Sequence, residues 1–83
     1  MISDKTKILV TGGAGNIGSA LIEKLISDDN NFVVILDDLS TGSMSKLPGQ
    51  EKKNWKFVKA NVNNMVELSG VMHSFNFDYV FHL

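Results

Sequence analysis

Apolar residues in this chain gather in short runs, and the period changes from one run to the next. Ile8-Leu9-Val10 and Phe32-Val33-Val34-Ile35-Leu36 are unbroken. Runs of that length without alternation suit strands covered on both faces, as in a parallel sheet. They predict strands over Lys7–Thr11 and Phe32–Leu36. Between them Gly18, Leu21, Ile22, Leu25 and Ile26 recur at i, i+3, i+4, i+7 and i+8, with Ser19, Glu23, Lys24 and Ser27 off that stripe. The spacing predicts a helix from Asn16 to about Ser27 with one buried face. Asp28-Asp29-Asn30-Asn31 ends it in turn chemistry.

Trp55–Ala60 and Asp78–Leu83 read as a third and a fourth strand. Leu68, Val71, Met72 and Phe75 repeat at i, i+3, i+4 and i+7 between them. Asn64 followed by Glu67 resembles a capping box at that helix's start. Met65 and Met72 are expected to fill the core. Residues 39–54 are polar, with one helical turn expected over Ser43–Leu47. The order β-α-β-loop-β-α-β means crossover connections and an α/β fold with a parallel sheet. The expected spatial strand order is 3-2-1-4, the front of a doubly wound Rossmann-type fold. The last apolar strand reaches the C-terminus with no closing helix. The chain is therefore expected to be the N-terminal part of a longer polypeptide, with the substrate domain absent, and its fourth strand to be a raw edge open to self-association.

The chemistry concentrates in the first turn. Gly13-x-Gly15-x-x-Gly18 follows a strand and opens a helix, and Asp37 closes the next strand 19 residues after Gly18. That context makes the glycines a dinucleotide fingerprint. An early glycine permits the turn, Gly15 lets the backbone approach a diphosphate, and Gly18 lets the helix press on the sheet. The N–H groups of Asn16–Ser19, at the positive end of the helix, would receive the phosphates, with no cationic side chain in the region. Asp37 would accept hydrogen bonds from an adenosine ribose and repel a 2′-phosphate, which favours NAD over NADP. A P-loop is rejected: after Gly13-x-x-x-x-Gly18 it requires Lys then Ser or Thr, and Ser19-Ala20 stand there.

Composition narrows the rest. The 83 residues hold 8 Lys, no Arg and 9 acids, for a net charge of −1. No basic field is present to drive nucleic-acid binding. The absence of Cys removes disulfides and thiolate metal sites, and His73 and His82 lack a ligand pattern, so no metal site is named. No apolar run approaches the roughly 18 residues that span a membrane, and a cytoplasmic location is expected.

Thr11-Gly12-Gly13-Ala14-Gly15-Asn16-Ile17-Gly18-Ser19 resembles the opening of the extended short-chain dehydrogenase/reductase family. Within it the chain is most similar to the NAD-dependent nucleotide-sugar epimerases and dehydratases. Asp37-Asp38-Leu39-Ser40-Thr41-Gly42 resembles the Asp-Asn-Leu-Ser-Thr-Gly segment of UDP-glucose 4-epimerase-like members. Ala60-Asn61-Val62 takes the place of Gly-Asp-Ile/Val, and Asp78–Leu83 resembles the Asp-x-Val-x-His-Leu strand.

The resemblance implies that Gly12, Gly15, Asn16, Ile17 and Gly18 line the diphosphate. It implies that Asp37, Asp38, Leu39 and Thr41 surround the adenine ribose, that Asn61 and Val62 meet the adenine, and that Leu83 begins the segment passing the nicotinamide. Asn16 stands where Phe is common, Asp38 where Asn is usual and Asn61 where Asp is usual, though an Asn oxygen can still accept from an adenine amino group. Such enzymes carry a Tyr-x-x-x-Lys pair farther on. Here the single tyrosine, Tyr79, has Leu83 at the lysine position, so no catalytic residue is named. The implied activity is hydride transfer between a nucleotide sugar and NAD in the full-length parent, this chain alone being inactive. The alternative is a non-catalytic NAD(P)-binding sensor or interaction module of the same fold.

Overall fold

The structure is a computed structural model that describes residues 5–12, 14–39, 44–49, 51–61 and 63–83. Four strands form one parallel sheet: β1 (Thr6–Thr11), β2 (Asn31–Asp37), β3 (Trp55–Lys59) and β4 (Tyr79–His82). Two helices connect them, α1 (Asn16–Ile26) between β1 and β2, and α2 (Met65–Ser74) between β3 and β4. A single 3₁₀ turn, Met44–Lys46, occupies the stretch where a helical turn was expected. The sheet order is β3-β2-β1-β4, as the alternation of elements predicts.

Chain direction explains which face each helix takes. The path from β1 to β2 to β3 steps one way across the sheet, and the step from β3 to β4 goes back past β1. Right-handed crossovers in opposite directions put the helices on opposite faces. Two cores result. Ile8, Val10, Val33 and Ile35 pack with Ile22 and Ile26 of α1, flanked by Leu47, Trp55 and Phe57. Leu9, Phe32, Val34 and Leu36 pack with Val71 of α2, flanked by Leu68, Phe75 and Phe77. Strand alternation therefore splits each central strand between two cores, and each fully buried side chain contributes about 1.5–3 kcal/mol. Phe75 stacks between Phe32 and Phe77, with ring centres 6.3 and 5.4 Å away.

Polar groups set the joints. Asn54 is buried just before β3. Its Nδ2 donates to Ile26 O at 3.0 Å, Asp28 O at 3.3 Å and Asn31 O at 3.0 Å. One amide thus ties the end of α1, the following turn and the start of β2. At the head of β4, Asp78 Oδ2 accepts from Lys7 N at 2.8 Å while Asp78 N donates to Lys7 O at 2.7 Å. This pair docks β4 beside β1. Lys52 Nζ bonds Asp29 Oδ1 at 2.8 Å, and that ammonium holds the Asp29 carboxyl below its ordinary range.

Two expectations need correction. Met65 and Met72 are 71% and 43% exposed, so neither fills the core. Val71 alone is buried on α2, and the periodicity that marks its apolar face does not reveal how little of that face the sheet covers. The Asn64 cap also differs from a reciprocal capping box. Asn64 Oδ1 accepts from Val66 N and Glu67 N, but Glu67 reaches past Asn64 to accept from Asn61 N at 2.7 Å.

Candidate functional site

The C-terminal ends of all four strands meet the N-terminus of α1 around one cleft of about 560 Å³. In an open parallel sheet a crevice forms where successive crossovers diverge, and here β1 is the strand between the two directions. Of the residues singled out by the sequence, Gly12, Gly15, Asn16, Ile17, Gly18, Asp37, Asp38, Asn61 and Leu83 line the cleft. Leu39 does not. Thr41 and Val62 lie outside the described residues. Thr11, Leu36, Ala60, Asn63 and His82 also line it. Their common signal is position at or just beyond a strand's C-terminal end, which residue type alone does not mark.

The two helix starts contrast. α2 is closed by its own side chains: Asn64 caps it and Glu67 lies in its first turn. α1 begins at Gly15 with no side-chain cap and no acid in its first turn. Ser19 N already donates to Gly15 O at 2.9 Å, so the N–H groups open to a ligand are those of Asn16, Ile17 and Gly18, one fewer than the sequence suggested. Three uncapped donors at the positive end of a helix are suited to receive an anion.

Two glycines in the turn answer to different demands. Gly12 has φ +76°, and a Cβ there would meet Leu83 O at 3.2 Å. The fold itself requires glycine at that point. Gly15 has φ −88° and ψ −179°, which any residue adopts. Among the described residues, a Cβ at Gly15 would have only Gly12 O nearby, at 3.7 Å. Nothing among the described residues explains a glycine there, whereas a group seated in the cleft against the backbone would. Gly15→Ala should therefore keep the fold within about 1 kcal/mol and weaken diphosphate binding about 10-fold or more. Thermal unfolding and ligand titration on the same sample check both halves.

Asp37 is buried at the end of β2 and does more than face a ligand. Its Oδ2 accepts from Ala14 N at 2.9 Å and its Oδ1 from Leu39 N at 2.8 Å. One carboxylate thus fixes the glycine turn to β2 and shapes the chain beyond it. A carboxylate offers about four acceptor sites, so both oxygens keep lone pairs for the cleft. Leu39 acts through this bond. Its φ of +64° is left-handed, which costs a branched, bulky residue about 1–2 kcal/mol. Such strain beside the cleft is held by the Asp37 bond. At Asn61, Oδ1 already accepts from Asn63 N at 2.8 Å, leaving one lone pair and the Nδ2 group for a ligand. Across the cleft floor Thr11 Oγ1 and His82 Nδ1 lie 2.7 Å apart, joining the ends of β1 and β4.

One part of the electrostatic reading changes. The sequence suggests a region free of cations, yet Lys46 Nζ donates to Asn16 Oδ1 at the mouth of α1. The 3₁₀ turn carries it there across 30 residues of sequence.

Residues 8–83 match the NAD dependent epimerase/dehydratase family. Over 78 residues the chain is 41% identical to UDP-glucose 4-epimerase of Mycolicibacterium smegmatis, covering 93% of this chain and 24% of that protein. Among solved structures it is similar to UDP-glucose 4-epimerase of Thermotoga maritima with UDP-glucose, with TM-score 0.82, 35% identity, and coverage of 93% of this chain and 23% of the other. It is also similar to dTDP-glucose 4,6-dehydratase of Bacillus anthracis in complex with NAD, with TM-score 0.86, 28% identity, and coverage of 94% and 26%. The chain therefore spans about a quarter of the length of these relatives. With a family match over nearly its whole length, this chain belongs to the NAD dependent epimerase/dehydratase family.

Proposed function

We propose that this chain is the adenosine- and diphosphate-holding part of an NAD-dependent nucleotide-sugar epimerase or dehydratase, the N-terminal portion of its Rossmann domain. The observation that carries this reading is the pairing of an uncapped helix start with a glycine whose missing side chain the fold does not demand. The N–H groups of Asn16, Ile17 and Gly18 would hold the diphosphate. Asp37, fixed by two backbone donors, would hold the adenine ribose, with Asp38 beside it. Asn61 would meet the adenine, and Leu83, packed against Gly12, would border the nicotinamide side. When bound, NAD supplies a hydride acceptor for a sugar hydroxyl. The residues of this chain bind and orient that cofactor, and the acid–base groups belong to the remaining length of the parent.

Self-association belongs to the same reading. β4 is an edge strand, and Tyr79, Val80 and Phe81 are all exposed. An unpaired apolar edge invites pairing with a second copy.

Cofactor choice tests the proposal. The Asp37 carboxylate should favour NAD over NADP by about 10-fold or more, since a like charge a few ångströms away is repelled even in a polar site. Titration of the chain with each dinucleotide, followed by amide chemical shifts, reads the ratio. Equal affinities would remove Asp37 from the site.

A further inference from the structure

Lys46 stands in an electrostatically unfavourable place. Cations are stabilised at helix C-termini and disfavoured at the positive N-terminal end. Yet the ammonium of Lys46 is held on the side-chain oxygen of Asn16, the first residue of α1. Carboxylates are within the neighbourhood: Glu23 and Glu51 line the groove beside Lys46. Among the described residues neither forms an ion pair with it. The placement is not a drifting side chain on a free loop, because the next residue, Leu47, packs against the α1-side core and anchors the 3₁₀ turn. The hydrogen bond to Asn16 is exposed, and contacts of that kind contribute little to stability. An arrangement that adds positive charge to an already positive helix end, for little gain to the fold, is favourable only when an anion arrives.

We infer that Lys46 is a binding residue for the diphosphate: its ammonium, parked on Asn16, turns onto the phosphate oxygens when the dinucleotide enters the cleft. The inference rests on the proposed cofactor reading and adds a charged contact to a site otherwise built from backbone donors. Lysine suits this role as a flexible point charge with three donors, so it can keep Asn16 and gain a phosphate oxygen together.

The test uses the 83-residue chain, Lys46→Gln and Lys46→Arg, each titrated with NAD across a salt series and followed by amide chemical shifts. The shift dispersion without ligand reports that the fold is intact. Lys46→Gln is expected to weaken NAD about 3- to 10-fold at low salt and to flatten the salt dependence, because a salt-screened charge–charge attraction is lost. Lys46→Arg is expected to restore both. Unchanged affinity and salt dependence in Lys46→Gln would overturn the inference, as would a loss that arginine does not rescue. The two readings fail differently. If the unsubstituted chain shows no NAD-induced shifts at Asn16, Ile17 and Gly18, the cofactor reading itself falls. Shifts there that do not respond to Lys46 sink only the role of the lysine.

Discussion

Replacing Asp37 by Ala is expected to abolish dinucleotide binding and to cost the fold about 2–4 kcal/mol. Both effects have one source. The carboxylate accepts from Ala14 N and Leu39 N, so its removal strands two backbone donors at the junction of β2 and the glycine turn. Each such bond to a charged acceptor is worth about 1.5–3 kcal/mol. The glycine turn would then lose its tether to β2, and Leu39 would lose the bond that holds its left-handed backbone. Asp37→Asn should fall between. Its amide oxygen can satisfy one N–H, but its NH₂ faces the other, so about half the stability loss is expected. That variant also removes the charge proposed to repel a 2′-phosphate, so the NADP to NAD affinity ratio should rise. Urea unfolding measures the first effect and paired titrations the second. A variant that loses binding with unchanged stability would show that the two backbone bonds do not tether the turn to β2.

The second large effect is expected at Asn54, far from the cleft. Asn54→Ala removes the donor shared by three carbonyls and should cost about 2–3 kcal/mol. Asn54→Asp should be worse, about 3–5 kcal/mol at neutral pH, because a carboxylate would face the same three carbonyl oxygens in a buried place. The pH dependence has a definite sign. Burial and the facing carbonyls would raise the folded-state pKa of the introduced acid above its unfolded value near 4. The stability gap to the unsubstituted chain should then be smallest and constant below about pH 4, and widen as pH rises from about 4 to the raised folded value. Denaturant midpoints at several pH values check this. A gap independent of pH would mean that the side chain has turned away from the carbonyls.

These two residues show what the sequence discloses and what it leaves hidden. β1 and β2 are legible because Ile8–Val10 and Phe32–Leu36 are short contiguous apolar runs bounded by turn residues, as strands covered on both faces are. The strand order follows from alternation of elements and the handedness of crossovers. The glycine turn is legible because its spacing is tied to a strand before and a helix after. Asp37 is legible as an acid at the right distance, but its grip on Ala14 and Leu39 is not, since those partners are backbone groups without a residue signature. Asn54 offers no pattern at all, because its three acceptors are backbone carbonyls of Ile26, Asp28 and Asn31, more than 20 residues away in the sequence. Lys46 is hidden for the same reason: 30 residues separate it from Asn16, and a 3₁₀ turn has too short a period to declare which way its side chains face. Met65 and Met72 mislead in the opposite sense. Their helical spacing is real, but periodicity records a shared face and not the area that covers it.

The relatives lend the exposed surface a meaning. Tyr79 and Phe81 pair in register with Ile8 and Val10, and Val80 with Leu9, so β4 continues both cores of the sheet. In place of burial these side chains are exposed. The family members matched by this chain are about four times its length.

The structure of the chain bound to NAD, determined by crystallography or by intermolecular NMR contacts, tests the central claim most directly. Diphosphate oxygens are expected within hydrogen-bond distance of the N–H groups of Asn16, Ile17 and Gly18, with the adenine ribose on Asp37. A diphosphate found in the groove between α1 and the 3₁₀ turn, or anywhere else off the start of α1, would contradict that claim.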